Sequence, residues 1–246
     1  MSALSCSSDI PPLALLTGGL ATRLGTLTAH VPKSLLPVAG EPFIAHQLRL
    51  LAGQGIRNIV ICTGHFGEQI ERFVSDGHRF GCLVRYSNDG SALLGTGGAI
   101  RKALPWLGSC FWVMYGDSYL TAPFAPALDT FRASGQPALV TVYANANRWD
   151  TSNVLFVEGK VLCYDKNGQQ PGMQHIDYGL GLFSAEIFQQ WPAGCAFDLA
   201  RLQSRLVDKG LMAGHEVFER FYEIGSLAGL QETDRFLTES MGVVPA

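Results

Sequence analysis

Strand and helix patterns alternate along the first half of the chain. Four short apolar runs predict buried β-strands, and the three segments between them carry apolar residues three or four positions apart, as amphipathic helices do. The strand patterns are LALLTGG, RNIVICTG, CLVRYS and CFWVMYGD, and the helix patterns are EPFIAHQLRLLAGQGI, GEQIERFVSDG and TGGAIRKAL. This alternation predicts an α/β fold with helices on both faces of a mostly parallel sheet, and ligands at the carboxyl ends of its strands.

The second half of the chain is richer in strand patterns. PALVTVYAN, SNVLFVEGKVLCYD and HIDYGLGLFS are separated by polar turns, and EVFERFYEIGS reads as one further strand. Helices are expected at DLARLQSRLVDKG, with Asp198 as the N-cap, and at AGLQETDRFLTES. No linker or repeat divides the chain, so we predict a single-domain, Rossmann-like mixed sheet over residues 13–240, with halves 13–120 and 121–240.

Composition narrows the classes of function. The 246 residues are 47% hydrophobic and carry a net charge of −3, which indicates no nucleic-acid-binding surface. No apolar run approaches the roughly 18 residues that a membrane span requires. The six cysteines show no zinc or redox spacing and are expected to be buried apolar residues. Residues 1–12 are predicted to be a flexible N-terminal arm rather than a signal peptide, so a cytoplasmic location is expected.

Glycines, cationic residues and a hydroxyl residue follow the first strand pattern. In LLTGGLATRL the strand stops at Gly18 and Gly19, and Arg23, Thr28 and Lys33 follow. Glycines let backbone N–H groups approach phosphate oxygens, and the cations would neutralise the phosphate charge. A plain strand-to-helix turn with surface cations is the simpler alternative. The spacing matches neither the P-loop nor the dinucleotide-binding motif, which argues against an oxidoreductase.

The order of motifs resembles one enzyme family along nearly the whole chain. GGLATRL…T…PKSLLPVAGEPFI is similar to the signature of the sugar-1-phosphate nucleotidyltransferases, and LLGTGGAI, YGD, YDK, DYGLGLF and YEIGS follow in the family's order. The heptose-1-phosphate guanylyltransferases look most similar, with the muramate-1-phosphate uridylyltransferases close behind. The resemblance implies a fold of the nucleotide-diphospho-sugar transferase type.

The resemblance also implies a reaction and its residues. An NTP and a sugar 1-phosphate would give an NDP-sugar and pyrophosphate, with residues 13–120 binding the nucleotide and 121–240 the sugar phosphate. Arg23 and Lys33 would be catalytic, and Mg²⁺ would be held by Asp117 and Glu223. The expected nucleotide-binding residues are Leu16, Gly18, Gly19, Thr22, Asn88, Asp89, Gly95 and Thr96. The expected sugar-phosphate-binding residues are Lys166, Asp177, Tyr178 and Gly179.

Departures from the family pattern leave the substrates open. Ala21 replaces a glycine, Ala92 replaces the usual acidic residue before L-G-T, and Glu223 stands where the family more often has Asp. Base recognition is therefore expected from Asn88 or Asp89, or from the backbone, and a carboxylate there would favour GTP. A plain polar turn at SNDGS is the simpler alternative for these two residues. Uridylyl or cytidylyl transfer to another sugar 1-phosphate, and a non-catalytic nucleotide-binding protein, remain the alternatives. A monomer or small homo-oligomer is expected.

Overall fold

The computed structural model describes residues 10–19, 22–167, 170–240 and 242. At positions 22 and 23 it describes the backbone alone. Residues 1–9 of the predicted arm lie outside this part, whereas Pro12 is held against the sheet, because its carbonyl accepts a hydrogen bond from Trp112 N. The described helices are α1 (Phe43–Gly53), α2 (Gly67–Val74), α3 (Gly95–Ala103), α4 (Ala125–Ser134), α5 (Ala185–Gln189), α6 (Leu199–Asp208) and α7 (Leu227–Ser240).

The described strands include every strand pattern seen in the sequence. They are β1 (Leu13–Leu16), β2 (Pro37–Val38), β3 (Glu41–Pro42), β4 (Asn58–Thr63), β5 (Leu83–Asn88), β6 (Cys110–Tyr115), β7 (Ser118–Leu120), β8 (Ala138–Ala144), β9 (Val154–Val157), β10 (Lys160–Tyr164), β11 (His175–Ser184), β12 (Met212–Val217) and β13 (Phe221–Glu223). The sequence patterns did not predict α4, α5 or the two- and three-residue strands β2, β3 and β7.

Nine of these strands form one mixed sheet. Their order is β5-β4-β1-β6-β11-β8-β12-β10-β9. Pairing is parallel from β5 to β6 and between β8 and β12, whereas β11 and β10 run antiparallel to their neighbours. Seven strands therefore share one direction, and the prediction of a mixed, mostly parallel sheet is confirmed.

Alternating side chains of the strands build a core on each face of the sheet. Along β1, Leu13 and Leu15 pack on one face with apolar residues of α1, α2 and α4. Ala14 and Leu16 point to the other face, where α3, α5 and α6 supply the partners. This two-sided burial explains why β1 reads as an uninterrupted apolar run instead of an alternating one.

One predicted strand is wrong in its extent. EVFERFYEIGS belongs to two strands. Its first two residues end β12, which pairs with β8 in the main sheet, and its middle part forms β13, which pairs antiparallel with β7. Between them, Phe218 is 81% exposed, and the polar pair Glu219 and Arg220 breaks the apolar pattern. The break lets the chain cross to the carboxyl end of β6, where Ile224 N donates to the Asp117 carbonyl.

In the described part of the chain, the helices are all too short or too polar to span a bilayer.

Candidate active site

The carboxyl ends of three adjacent strands lie side by side at one edge of the sheet. The strands β1, β4 and β6 are adjacent and parallel, so their carboxyl ends share one edge of the sheet. A Cβ at Gly18 would lie 3.0 Å from the backbone nitrogen of Gly64, and one at Gly116 would lie 2.6 Å from the carbonyl oxygen of Leu16. A Cβ at Gly19 would meet open space. Gly18 is therefore needed for the close approach of two strand ends, and Gly19 leaves the surface above them clear.

A cavity of about 300 Å³, the first cavity, opens beside these strand ends. It brings together eight residues from four separate stretches of the predicted site. These are Leu16, Gly18, Gly19, Lys33, Asp89, Gly95, Thr96 and Asp117.

The predicted catalytic lysine contacts a predicted metal ligand. Lys33 begins a short 3₁₀ helix after Pro32, and Asp117 lies just beyond β6. The Lys33 Nζ lies 2.5 Å from Asp117 Oδ2, and the two side chains are 20% and 25% exposed. Partial burial makes such a charge-assisted hydrogen bond stronger than a surface ion pair. The fold thus joins a cation and a carboxylate that are 84 positions apart.

Ser34 lines the same cavity and was missed by the sequence analysis. Its side chain is 2% exposed, and its hydroxyl has no hydrogen-bond partner among the described residues. A buried hydroxyl without a partner is costly, and an oxygen of a bound phosphate would satisfy it. The signal was its place directly after Lys33 in the PKSLLP stretch.

Asp89 presents a buried acceptor at the cavity wall. Its Oδ2 accepts a hydrogen bond of 3.0 Å from Leu94 N, whereas its Oδ1 is buried and has no partner among the described residues. Burial raises the pKa of Asp89, and the nearby Lys102 ammonium opposes that rise. The carboxylate therefore has one oxygen fixed by the loop and one available to a ligand.

Asn88 does not reach the first cavity, which corrects its predicted role. Its Nδ2 donates to Thr63 Oγ1 at 3.2 Å, and its Oδ1 accepts from Gly90 N at 2.8 Å. The side chain is thus used to shape the turn and faces a neighbouring hollow beside α2. The neighbouring residues Asn88 and Asp89 therefore line two different cavities.

Tight packing explains the glycines at the start of α3. A Cβ at Gly95 would lie 2.7 Å from the Phe197 carbonyl oxygen, and one at Gly97 would lie 2.2 Å from the Phe197 ring. The same carbonyl accepts hydrogen bonds from Gly97 N and Gly98 N at 2.9 and 3.3 Å. Phe197 therefore caps α3 in place of a side chain of its own helix.

Thr96 connects α3 to the start of α6. Its hydroxyl donates to Asp198 Oδ1 at 3.0 Å and accepts from Leu199 N at 2.8 Å. Asp198 also accepts from Ala200 N, which confirms it as the predicted N-cap. Burial opposes ionisation of Asp198, but hydrogen bonds from Lys166 and the Ala200 amide outweigh it and lower the pKa of this carboxyl.

Lys166 lies at the surface and pairs with Asp198. Its side chain is 64% exposed, and exposed ion pairs contribute little to stability. The ammonium could therefore exchange this partner for a phosphate at small cost, as its predicted role requires.

A second cavity of about 530 Å³ adjoins the first. Thr96, Tyr115 and Asp117 line both cavities, so the two meet at the end of β6. All four predicted sugar-phosphate residues and Glu223 line the second cavity. These are Lys166, Asp177, Tyr178, Gly179 and Glu223.

Asp177 organises the wall of the second cavity. Its Oδ2 accepts from the Tyr164 hydroxyl at 2.8 Å and from Gln203 Nε2 at 3.2 Å, and its Oδ1 accepts from Gly179 N at 2.9 Å. Burial raises the pKa of Asp177, and these three donors oppose the rise. The carboxylate is held by its neighbours, which fixes the position of any hydrogen bond that it offers to a ligand.

The side chain of Tyr178 is buried, and its predicted role in binding the sugar phosphate stays a prediction. It is 1% exposed, and its hydroxyl accepts hydrogen bonds from Thr121 N and Ala122 N, both at 3.1 Å. Gly179 follows with φ of +94°, a conformation that favours glycine. Tyr178 therefore anchors β11 through its hydroxyl, and both it and Gly179 line the second cavity.

Comparisons with known proteins assign the chain to one enzyme family. A family model described as "Nucleotidyl transferase" matches residues 14–152, which is more than half of the chain. The chain is 30% identical to an N-acetylmuramate α-1-phosphate uridylyltransferase of Neisseria meningitidis over 89% of this chain and 94% of that enzyme. The chain belongs to the sugar-1-phosphate nucleotidyltransferase family.

Other members of the family differ in length and in nucleotide. This nucleotidyltransferase is 27% identical to a UTP–glucose-1-phosphate uridylyltransferase of Synechocystis, over 80% of its own length but only 55% of that enzyme. The crystal structure of HddC from Yersinia pseudotuberculosis, complexed with GMP-PN, has the same fold, with a TM-score of 0.78 at 20% identity over 93% of this chain and 100% of that one. Further relatives are named as thymidylyl- and guanylyltransferases.

Two predicted residues of this nucleotidyltransferase lie outside the described side chains. These are Thr22 and Arg23, whose roles stay predictions. Thr28, from the same stretch, is described and has its hydroxyl 3.3 Å from the Gly25 carbonyl, to which it donates.

The Glu223 carboxylate accepts hydrogen bonds from residues at the start of α7. Its carboxylate accepts hydrogen bonds from the backbone amides of Gly225 and Ser226 and, at 2.6 Å, from the Ser226 hydroxyl. That hydroxyl in turn accepts from Gly229 N at 2.9 Å, as an N-cap does. Glu223 therefore supports a helix cap, and a metal ion at this carboxylate would compete with three donors.

We expect Glu223→Ala to lower the free energy of unfolding by about 1–2 kcal/mol, the cost typical of a lost helix cap. Urea denaturation of the purified variant measures it. Glu239→Ala, at an exposed position of the same helix, is the matched control and should stay within about 0.5 kcal/mol of the wild type. Unchanged stability with a raised magnesium requirement would instead assign Glu223 to the metal.

Two further residues of the second cavity were missed by the sequence analysis. Tyr115 lies in the quoted YGD motif, but only its aspartate was selected. Asn153 accepts a 2.8 Å hydrogen bond from Asp177 N on its Oδ1 and lines the cavity. Tyr115 is the last residue of β6 and Asn153 directly precedes β9, and only the folded structure shows that both line the site.

Proposed function

We propose that this protein transfers a nucleoside monophosphate from an NTP to a sugar 1-phosphate, with GTP and a heptose 1-phosphate as the preferred substrates. An oxygen of the sugar phosphate attacks the α-phosphorus, the bond to the β-phosphate breaks, and pyrophosphate leaves. The observation that carries the proposal is the junction of the two cavities at Asp117, with Lys33 in contact. A nucleotide in the first cavity and a sugar in the second would bring their phosphates to this point.

The chain's own residues would act by placing charge. Lys33 would bind the α-phosphate or the attacking phosphate, Ser34 would donate a hydrogen bond to the same group, and Arg23 would stabilise charge on the leaving pyrophosphate. The attacking oxygen is already anionic, so no general base is required. Asp177 would accept hydrogen bonds from sugar hydroxyls, and the Asn153 amide would donate to them.

Magnesium would be held mainly by the phosphates of the substrates, with few ligands from the protein. Within the described residues, no group of three His, Cys, Asp or Glu side chains is placed to hold a metal ion. Mg²⁺ typically takes one or two carboxylates and completes its shell with water and substrate phosphates. Asp117 would supply the main carboxylate, and Glu223 would contribute only by leaving its helix cap. The ion would reduce the repulsion between the two phosphate groups.

The preference for GTP rests on Asp89. Guanine presents N1–H and N2–H₂ side by side, and a carboxylate can accept from both. The Oδ1 of Asp89 is buried at the wall of the first cavity without a partner. Uracil offers one N–H between two carbonyl oxygens, for which an amide would be the better partner. Uridylyl transfer, as in the named relatives, is the alternative.

The test is a matrix of substrates. The purified protein is incubated with Mg²⁺, each of the common NTPs and a panel of sugar 1-phosphates, and released pyrophosphate is measured. We expect pyrophosphate to form only when both substrates are present. If no combination releases pyrophosphate, the alternative of a non-catalytic nucleotide-binding protein is favoured.

We expect Asp89→Asn to shift the preference from GTP towards UTP. A hydrogen bond to a charged group contributes about 1.5–3 kcal/mol, so the ratio of kcat/KM for GTP over UTP should fall roughly tenfold to a hundredfold. Asp208→Asn, which removes an exposed carboxylate from the end of α6, is the control. A ratio that is unchanged in Asp89→Asn, or a wild-type enzyme that uses UTP equally well, would remove the argument for guanine.

A further inference from the structure

A buried glutamine of α1 binds the short connection that carries Asp117. Gln47 is 0% exposed, and its Nε2 donates to the Tyr115 carbonyl at 3.2 Å and to the Ser118 carbonyl at 2.8 Å. Tyr115 ends β6 and Ser118 begins β7, so these two hydrogen bonds enclose the two-residue connection that contains Asp117. Gln47 lines neither cavity. It can therefore influence the site only through the residues that it holds.

The Gln47 amide is half satisfied by its surroundings. Its Nε2 makes two hydrogen bonds, whereas its Oε1 is buried and has no partner among the described residues. The nearby helix residues Ile44, Leu48 and Leu51 are apolar and fully buried. An apolar residue at position 47 would avoid the cost of the unpaired oxygen, but it would leave the two carbonyls without this donor. The helix thus interrupts its apolar pattern at the one place where an amide reaches the connection after β6.

Two backbone hydrogen bonds hold the same connection from other sides. Gly116 N donates to the Leu16 carbonyl of β1, and Ile224 N donates to the Asp117 carbonyl, both at 2.9 Å. The connection is therefore fixed by α1, by β1 and by the chain after β13, while the Asp117 side chain contacts Lys33. Such rigidity matters at a reacting group, because a displacement of about 1 Å can lower a rate roughly a hundredfold.

We propose that Gln47 is a positioning residue for catalysis, which fixes the Asp117 carboxylate at the junction of the two cavities by binding the carbonyls on either side of it. The inference rests on the proposed function and deepens it, since it assigns to that reaction a residue that touches no substrate. Loss of the amide should lower the rate of the chemical step more than the binding of either substrate, because Gln47 itself lines neither cavity.

Gln54 provides a matched control on the same helix. It is the C-cap residue of α1, about two turns after Gln47 and on the same side. Its side chain also binds the chain beyond β7, since Nε2 donates to the Ala122 carbonyl at 3.4 Å and Oε1 accepts from Phe124 N at 3.1 Å. Substitution of either glutamine by leucine thus removes two hydrogen bonds to this part of the chain, and only Gln47 binds next to Asp117.

The test measures kcat, KM and the urea midpoint of Gln47→Leu and Gln54→Leu. Both variants should have a lower urea midpoint than the wild type. Gln47→Leu should lower kcat by roughly tenfold to a hundredfold and change the KM of each substrate by less than about threefold. Gln54→Leu should keep kcat within about twofold of the wild type. A loss of kcat below about threefold in a folded Gln47→Leu enzyme, or an equal loss in the two variants, would overturn the proposal.

Combining Gln47→Leu with Asp117→Asn distinguishes positioning from a general loss of structure. If Gln47 acts through Asp117, the leucine should change kcat by less than about threefold in the Asp117→Asn enzyme. A larger loss there would show a role in the fold alone and would overturn the proposal. Should Gln47→Leu fail to fold, Gln47→Asn takes its place with the same expectations, because its shorter amide cannot reach both carbonyls. If the wild-type protein releases no pyrophosphate, the proposed function fails, whereas full kcat in a folded variant of an active enzyme contradicts this inference alone.

Discussion

Asp117→Asn should lower kcat by roughly a hundredfold to a thousandfold, which is the loss typical when one preorganised charge at a reacting group is removed. The amide keeps the shape of the side chain but removes the charge that holds Lys33 at 2.5 Å and that would hold magnesium. Lys33→Ala should lower activity by a similar factor, because it leaves the half-buried Asp117 carboxylate without its cation. Steady-state kinetics at saturating magnesium provide the measurement, with circular dichroism as the check of folding.

A variant that carries both substitutions tests whether Lys33 and Asp117 act together or independently. If Lys33 and Asp117 act as one unit, combining the two substitutions should cost little more than either alone. The control is Arg49→Ala, which breaks the exposed ion pair with Glu41. That change should leave kcat unaffected, since it lies outside both cavities. Full activity in a folded Asp117→Asn enzyme would refute the central role of this aspartate.

Gly97→Ala should destabilise the fold by roughly 1–3 kcal/mol, the range expected when a methyl group is forced into a packed region. The new Cβ would lie 2.2 Å from the Phe197 ring, which is itself stacked on Trp191 at 3.9 Å. If Phe197 moves, its carbonyl no longer caps α3, and the loop that carries Asp89 and Leu94 loses its support. We therefore expect weaker nucleotide binding as well as a lower midpoint in urea.

Gly53→Ala is the matched control for this helix substitution. Gly53 is also a helical glycine, at the end of α1, and a Cβ there would meet nothing within 4 Å. Alanine has the higher helix propensity, so this variant should be neutral or more stable by up to about 1 kcal/mol. Equal stability of the two variants would show that the contact with Phe197 does not determine the choice of glycine.

The sequence predicted the fold class well because that information is local. Uninterrupted apolar runs identified strands buried on both faces, and a polar residue before an apolar helical pattern located the cap at Asp198. The patterns failed where local preference was weak. The segment after β12 was extended into one strand, although β13 belongs to a separate ribbon, and α4 and α5 were not detected.

The candidate site was only partly predictable. The motifs located Lys33, Asp117, Asp89 and Thr96, and the fold brings all four to one cavity. They could not show how each side chain is used. Tyr178 is anchored in the core, Asn88 is part of a turn, and Glu223 supports the cap of α7. Ser34 and Asn153 were missed because a polar residue reveals its role only when its surroundings are known.

Periodicity and turn composition act between near neighbours in the chain, so they were enough to predict the α/β architecture, most of its elements in order and the residue types available for phosphate chemistry. Which of those residues come into contact depends on how the chain folds in space. The contact of Lys33 with Asp117, the packing of Phe197 on Gly97 and the lining of the second cavity each join segments far apart in sequence. Their hydrogen bonds and charges depend on distance in space, which no local pattern specifies.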